Sequence, residues 1–198
     1  GAPTNSLGYP PVEQSAAWEV AMKPWALPYP APTPFASAEA WAAEFDAFLD
    51  EHGPSLGVLV VEPQWGSSCA GAVWPPELLA RAVERARAAG ALVLADEVMC
   101  GLSRHGVRRA GDGRPRAFLS DALGIEVDAV TFGKAVAAGA HPLSGAVLLR
   151  GASELAADGR ALVQVHTYAG ASPRALLTAT AVLDALPSLH DDLDRVSA

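Results

Sequence analysis

Residues 91–97 read Ala91-Leu92-Val93-Leu94-Ala95-Asp96-Glu97. Five apolar residues run without a break into two carboxylates. A short continuous apolar run suits a strand buried on both faces of a sheet. The stretch Leu56-Gly57-Val58-Leu59-Val60-Val61 repeats the pattern and ends at Glu62. Residues 127–132 and 143–149 read as two further strands. Helical patterns lie between and around them. Trp41, Phe45, Phe48 and Leu49 recur at helical spacing, which predicts a helix over 37–52 with Ser37 as N-cap and Gly53-Pro54 as its stop. Pro75-Pro76 opens a second helix that runs to about Ala89, with Gly90 as its cap. Residues 172–186 carry few charges, which predicts a mostly buried helix. Alternation of this kind defines the fold class as α/β, a mostly parallel sheet flanked by helices.

In open α/β sheets, ligands sit beyond the carboxyl ends of the strands. Glu62, Asp96 and Lys134 each lie at or just after such an end. Their coincidence points to one site built from three connections. Lys134 stands out because Val130-Thr131-Phe132-Gly133 precede it and Ala135-Val136-Ala137-Ala138 follow it, all uncharged. A lysine held in apolar surroundings has its pKa lowered, as a Schiff-base amine requires. A strand-end aspartate facing a cofactor ring nitrogen would supply the other half, holding that nitrogen protonated. Taken singly, the acids also read as helix caps and the lysine as solvated surface.

Composition narrows the function classes. The chain has 198 residues, 51% of them hydrophobic and 18% charged, enough to bury a core. Fourteen basic against 22 acidic residues leave a net charge of −8, unsuited to non-specific nucleic-acid or anionic-membrane binding. No run of 18 apolar residues and no basic-then-apolar start is present, so neither a membrane span nor a signal peptide is expected. Two cysteines, Cys69 and Cys100, form no CxxC pair and suit a reducing, cytoplasmic setting. Lys23 and Lys134 are the only lysines, so amine chemistry has two side-chain candidates. Residues 1–36 are rich in proline and aromatics; Pro28, Pro30, Pro32 and Pro34 alternate with other residues and predict extended chain. That segment is expected either to pack on a partner or to continue a domain that begins upstream.

Other chemistries lack their signatures. Gly133-Lys134 is not a phosphate loop, because Asp128 stands where the first glycine is needed and Ala135 replaces the magnesium-binding hydroxyl. No GxSxG and no GxGxxG occurs. His52, His105, His141, His166 and His190 show no metal-ligand spacing.

Four blocks then resemble a known family. Val61-Glu62-Pro63 with Gly66-Ser67-Ser68, Gly71 and Pro75-Pro76 is similar to the EP-x-x-GSS-x-GA-x-x-PP stretch of class III aminotransferases. Leu94 through Gly106 resembles their DEV-x-x-GFGRTG block. Val127-Asp128 through Thr131-Phe132-Gly133-Lys134 resembles PD-x-x-T-x-GK, and His166-Thr167-Tyr168-Ala169-Gly170 resembles HTY-x-G. The blocks keep the family's order over residues 56–186.

The resemblance implies a pyridoxal 5'-phosphate enzyme of fold type I, acting as a homodimer. It would transfer an amino group between an amine or amino acid and a 2-oxo acid or aldehyde. By motif, Lys134 would form the internal aldimine and then move the proton. Asp96 would pair with the ring nitrogen, and Val98 would pack on the ring face. Met99 takes the position where many members carry a glutamine bonded to the ring hydroxyl. Thr167 would bind the cofactor phosphate of the neighbouring subunit, and Glu62 would order the network around Asp96. Leu102-Ser103 replaces the usual Phe-Gly, Val127 replaces Pro, and Ser67 stands where ornithine- and GABA-type members carry a second glutamate. An upstream phosphate loop with a stacking aromatic, and a small domain with a carboxylate-binding arginine, find no match in these 198 residues. Residues 37–198 are therefore expected to be part of a large cofactor-binding domain. The alternatives are a glutamate-1-semialdehyde-aminomutase-like reaction, or a truncated, non-catalytic remnant that needs a partner segment.

Overall fold

Helix α1, Ala38–His52, buries Phe45 and Leu49 of the predicted face, with Phe48 half-buried and Ala42 buried beside them; the side chain of Trp41 lies outside the described residues. A 3-10 turn over Gly53–Ser55 ends it, at the predicted Gly-Pro stop. The computed structural model describes residues 38–66, 71, 73–149 and 172–197, so Ser37 and the extended stretch expected over 1–36 lie outside the described residues. Strand β1 follows at Val58–Val61, helix α2 at Pro76–Ala88 and strand β2 at Leu92–Asp96. A one-turn helix α3, Leu119–Ala122, precedes β3, Ala129–Phe132. After a 3-10 turn over Lys134–Ala137 come β4, Gly145–Leu148, and the long helix α4, Pro173–Ser197.

The four strands form one sheet in the order β1-β2-β3-β4. β1 pairs parallel with β2 and β2 with β3, while β4 returns antiparallel. Asp96 sits directly across from Thr131 in the β2–β3 register. One core lies between this sheet and helices α1 and α2. Leu79, Ala86, Val93 and Ala95 are fully enclosed there. Each buried Leu or Val contributes on the order of 1.5–3 kcal/mol by leaving water. Three ion pairs brace the layer from outside: Asp46 binds Arg81 and Arg85, and Asp50 binds Arg85 at 3.0 Å. Buried Asp128 locks β3 to β2, its Oδ2 accepting from Val93 N at 2.9 Å and from the Arg87 guanidinium at 2.7 Å.

Three expectations are corrected. β1 is not buried on both faces, since Val58 and Val60 are 47% and 50% exposed. The helices cover only the face that carries Leu59 and Val61. The strand expected over 143–149 is shorter and turns back against the parallel set. It starts at Gly145, where a Cβ would lie 2.7 Å from the Phe132 ring. Helix α4 is not mostly buried, and it runs past Leu186, where the expected helix stopped. It buries Ala175 and Ala179 but leaves Leu177 72% exposed, with Leu176, Leu183 and Leu189 also open. A sparsely charged helix is thus not a buried one when only its small-residue stripe meets a neighbour. Past Pro187 the helix continues with one backbone bond fewer; the carbonyl that loses its partner belongs to Leu183, on an exposed side. No helix among the described residues is long and apolar enough to cross a membrane.

Candidate functional site

β2 ends in Asp96, and its side chain is fixed at once. Oδ1 accepts the Val98 amide N–H at 3.1 Å and the Thr131 hydroxyl at 3.1 Å. The first bond is local and turns the chain sharply after the strand; the second follows from the register with β3. Among the described residues, Oδ2 accepts no hydrogen bond. The half-buried carboxylate is therefore held by one oxygen and presents the other.

Glu97 behaves differently from its neighbour. It is 1% exposed, and its carboxylate reaches forward to the start of α3. There it accepts from Leu119 N at 2.5 Å, Ser120 N at 2.9 Å and the Ser120 hydroxyl at 2.5 Å. Its backbone N–H donates to Thr131 O at 3.0 Å, and its carbonyl accepts from Gly101 N at 2.8 Å. Gly101 must be glycine here, because a Cβ would lie 2.7 Å from that carbonyl. The turn that carries Val98 and Met99 is thus clamped at both ends. Cys100 sits beneath it; burial first, and the Glu97 charge second, push its thiol up to about 12.

Lys134 opens the 3-10 turn after β3 with φ +45°, a left-handed conformation uncommon for a side chain with a Cβ. Its apolar successors Val136 and Ala137 are buried against α4 and Leu102, while Lys134 itself points outward. The enclosed lysine expected from its neighbours is therefore corrected to an exposed one. Its Nζ lies 2.7 Å from the Met99 sulfur. Met99 fits because residue 66 is glycine: a Cβ there would lie 2.9 Å from Met99 Cγ. Glu62 does not bond Asp96. Its Oε2 accepts from Gly66 N at 2.9 Å, and its carbonyl accepts from the Trp74 indole at 2.9 Å. Glu62, Gly66, Met99 and Lys134 thus form one contiguous chain of contacts beside Asp96.

Val98, Lys134 and Gly133 share an open cavity of about 720 Å³. Gly133 is packed between Val98 and Ser144, with a built Cβ 3.5 Å and 3.4 Å from them. Thr167 lies outside the described residues. Thr131, Glu97 and Gly66 stand in the stretches quoted from the sequence but were given no role there; the one available signal was that Thr131 falls opposite Asp96 once the strands are aligned.

The loop after Gly101 adds a strained pair. Leu102 and Ser103 have φ +58° and +62°, which costs about 1–2 kcal/mol each for a residue with a Cβ. Buried contacts hold them there. Ser103 N donates to Ala117 O at 2.9 Å, and its hydroxyl donates to Arg116 O at 3.0 Å. That uses the one hydroxyl proton, so His190 Nε2 is the donor in the 3.0 Å contact to Ser103 Oγ.

The class III aminotransferase family matches residues 14–196, and the chain belongs to that family. Among solved structures, it is similar to a thermostable (S)-enantioselective ω-transaminase from Thermomicrobium roseum, with 26% identity and a TM-score of 0.64 over 76% of this chain and 32% of that one. An S-selective transaminase from Bacillus megaterium is 25% identical with a TM-score of 0.61, covering 78% of this chain and 30% of that one. A four-fold mutant of a thermostable ω-transaminase from Pseudomonas jessenii, 23% identical over 83% of this chain and 35% of that one, has a TM-score of 0.64 and bears on the fold alone. The chain spans about a third of the length of these structures. No curated protein matches it. Its fold is α/β, part of the large domain of the fold type I pyridoxal phosphate transferases.

Proposed function

We propose that this chain contributes the catalytic half-site of a class III aminotransferase that uses pyridoxal 5'-phosphate. The observation that carries the reading is the pair Asp96 and Lys134, at the carboxyl ends of adjacent strands β2 and β3. The donor set fits the cofactor. Asp96 keeps Oδ2 unengaged while Oδ1 is anchored, as a carboxylate must be to meet a ring N–H. Val98 offers an apolar side chain in the cavity that Lys134 also lines. Lys134 is a primary amine whose one polar contact among the described residues is with the uncharged thioether of Met99.

Bound there, the cofactor supplies an aldehyde that captures an amine and a ring that accepts electrons. Lys134 would hold it covalently until the substrate amine takes that place. Freed, its Nζ would take a proton from the substrate carbon bearing the amino group and deliver it to the cofactor carbon at the other end of the C–N linkage. Asp96 would keep the ring nitrogen protonated through both moves. Glu62 would act through Gly66, setting where Met99 lies against Lys134. Thr167 would serve the phosphate of a second copy in a homodimer, with residues 1–36 as an extended segment and 37–198 as part of the cofactor domain. The amino donor is an amine or amino acid, and the acceptor a 2-oxo acid or aldehyde.

The test is a pyridoxal phosphate titration followed in the visible range, on the wild-type chain and on Lys134→Ala. Saturable imine absorbance in the first, absent from the second, is expected. Equal spectra for both would overturn the assignment of Lys134.

A further inference from the structure

We propose that Met99 is an oxidation site whose sulfoxide oxygen binds the Lys134 amine and withdraws it from reaction with an aldehyde. The proposal rests on Lys134 being the reacting amine, and it names a modification that would switch that amine off. Met99 is half-buried and Lys134 is exposed, with Sδ and Nζ 2.7 Å apart. A Cβ at residue 66 would lie 2.9 Å from Met99 Cγ and 3.8 Å from its sulfur, so Gly66 keeps a side chain off that flank of the thioether. The oxidant is a small hydroperoxide, of which hydrogen peroxide is the simplest. A lone pair of the sulfur attacks one peroxide oxygen. The S–O bond forms as the O–O bond breaks, and the second oxygen leaves with both protons as water. The sulfur loses two electrons and the peroxide gains them.

The consequence follows from acceptor strength. A thioether sulfur accepts a hydrogen bond weakly, whereas a sulfoxide is polar and presents an oxygen. The sulfur already stands within hydrogen-bond distance of Nζ, so an oxygen bonded to it comes within reach of the same N–H groups. No carboxylate pairs with Lys134 among the described residues, and no Asp or Glu lines its cavity, so nothing competes for the ammonium. A charge-assisted bond to the sulfoxide favours the ammonium, which has no lone pair to attack an aldehyde. The other sulfur of this turn does not respond in this way. Cys100 is 2% exposed, and burial with the Glu97 charge pushes its thiol up to about 12, so thiolate is scarce. The oxidant sensitivity of the turn therefore belongs to Met99.

The test compares the wild-type chain and Met99→Leu before and after hydrogen peroxide. Each sample is reductively methylated with formaldehyde and cyanoborohydride, and the rates at Lys134 and Lys23 are read by peptide mass. Lys23, the only other lysine, is the internal standard. In the wild type, one oxygen on the Met99 peptide should slow methylation of Lys134 about tenfold relative to Lys23. Methionine sulfoxide reductases A and B should restore the rate, and Met99→Leu should show no slowing. Three results would overturn the proposal: Met99 left unoxidised when Met22 is fully oxidised, equal Lys134 rates before and after oxidation, or the same slowing in Met99→Leu. Should that variant not fold, a rate that the reductases fail to restore overturns it instead. Borohydride trapping of pyridoxal phosphate on the untreated wild type separates this from the assignment of Lys134. A label on Lys134, with methylation indifferent to oxidation, removes the switch alone. No label on Lys134 removes both.

Discussion

The amine nitrogen of Lys134 lies 2.7 Å from the sulfur of Met99, across the gap between the ends of β3 and β2. A thioether accepts weakly and carries no charge. The amine thus lies against an uncharged group, and no ion pair holds it among the described residues.

Gly66 is what lets Met99 reach that position. An alanine Cβ would lie 2.9 Å from Met99 Cγ and 3.5 Å from Glu62 Oε2. Gly66→Ala is expected to displace the Met99 side chain and cost about 1 kcal/mol of stability through overpacking. Chemical denaturation measures the second effect, and the rate of pyridoxal phosphate capture at Lys134 measures the first. Unchanged values for both would break the chain of contacts from Glu62 to Lys134.

Asp96→Asn separates charge from scaffold. The amide oxygen can still accept from Val98 N and the Thr131 hydroxyl, so stability should change by less than about 1 kcal/mol. Pyridoxal phosphate retention should fall by roughly 10–100-fold, the worth of one charge-assisted bond. Equilibrium dialysis of the two proteins decides it.

Glu97 should give the opposite result to its neighbour. Its buried carboxylate takes bonds from Leu119 N, Ser120 N and the Ser120 hydroxyl. Glu97→Ala strands those donors and is expected to cost about 3 kcal/mol or more of folding stability. Calorimetry on the two variants would separate a clamp at 97 from a ligand at 96.

Adjacent acids with different fates mark the limit of what the sequence makes legible. The strand β2 and its end were plain from five apolar residues followed by Asp96. Where Glu97 goes is not local, since its partners lie 22 and 23 residues on. The same holds for burial: Val58 and Leu59 look alike in a strand of apolar letters, and only the helices that pack on one side distinguish them. The helix expected over 172–186 runs on through Pro187, because the bond that proline removes faces solvent, and α4 continues to the His190–Ser103 contact. Lys134 was legible through its uncharged neighbours. Its exposure was not, because a left-handed residue turns it away from them.

Cys100 tests the packing beneath the site. Burial and the Glu97 charge hold its thiol up at about 12, so the reactive thiolate is scarce in the folded chain. Iodoacetamide at pH 8 should leave the Cys100 peptide unlabelled until denaturant is added. Rapid labelling of the native protein at Cys100 would mean that the turn over residues 98–101 opens readily.

His105 gives the fold an acid limit. Burial pushes its pKa down from 6.5 to about 4, against the opposing pull of the Arg116 backbone. The neutral ring favours the fold fully above pH 6.5. As the pH falls towards 4, the unfolded chain takes up a proton that the folded chain refuses, so stability is lost across that window. His105→Asn, which can still accept from Val107 N, should flatten the loss between pH 6.5 and 4 in urea titrations. An unchanged slope would remove His105 as its source.

The most direct measurement is to add pyridoxal phosphate to the 198-residue chain, reduce with borohydride, digest, and locate the modified residue by mass. The expected result is a single label on Lys134, weakened in Asp96→Asn. A label divided between Lys23 and the amino terminus, or none at all, would contradict a cofactor site at the ends of β2 and β3.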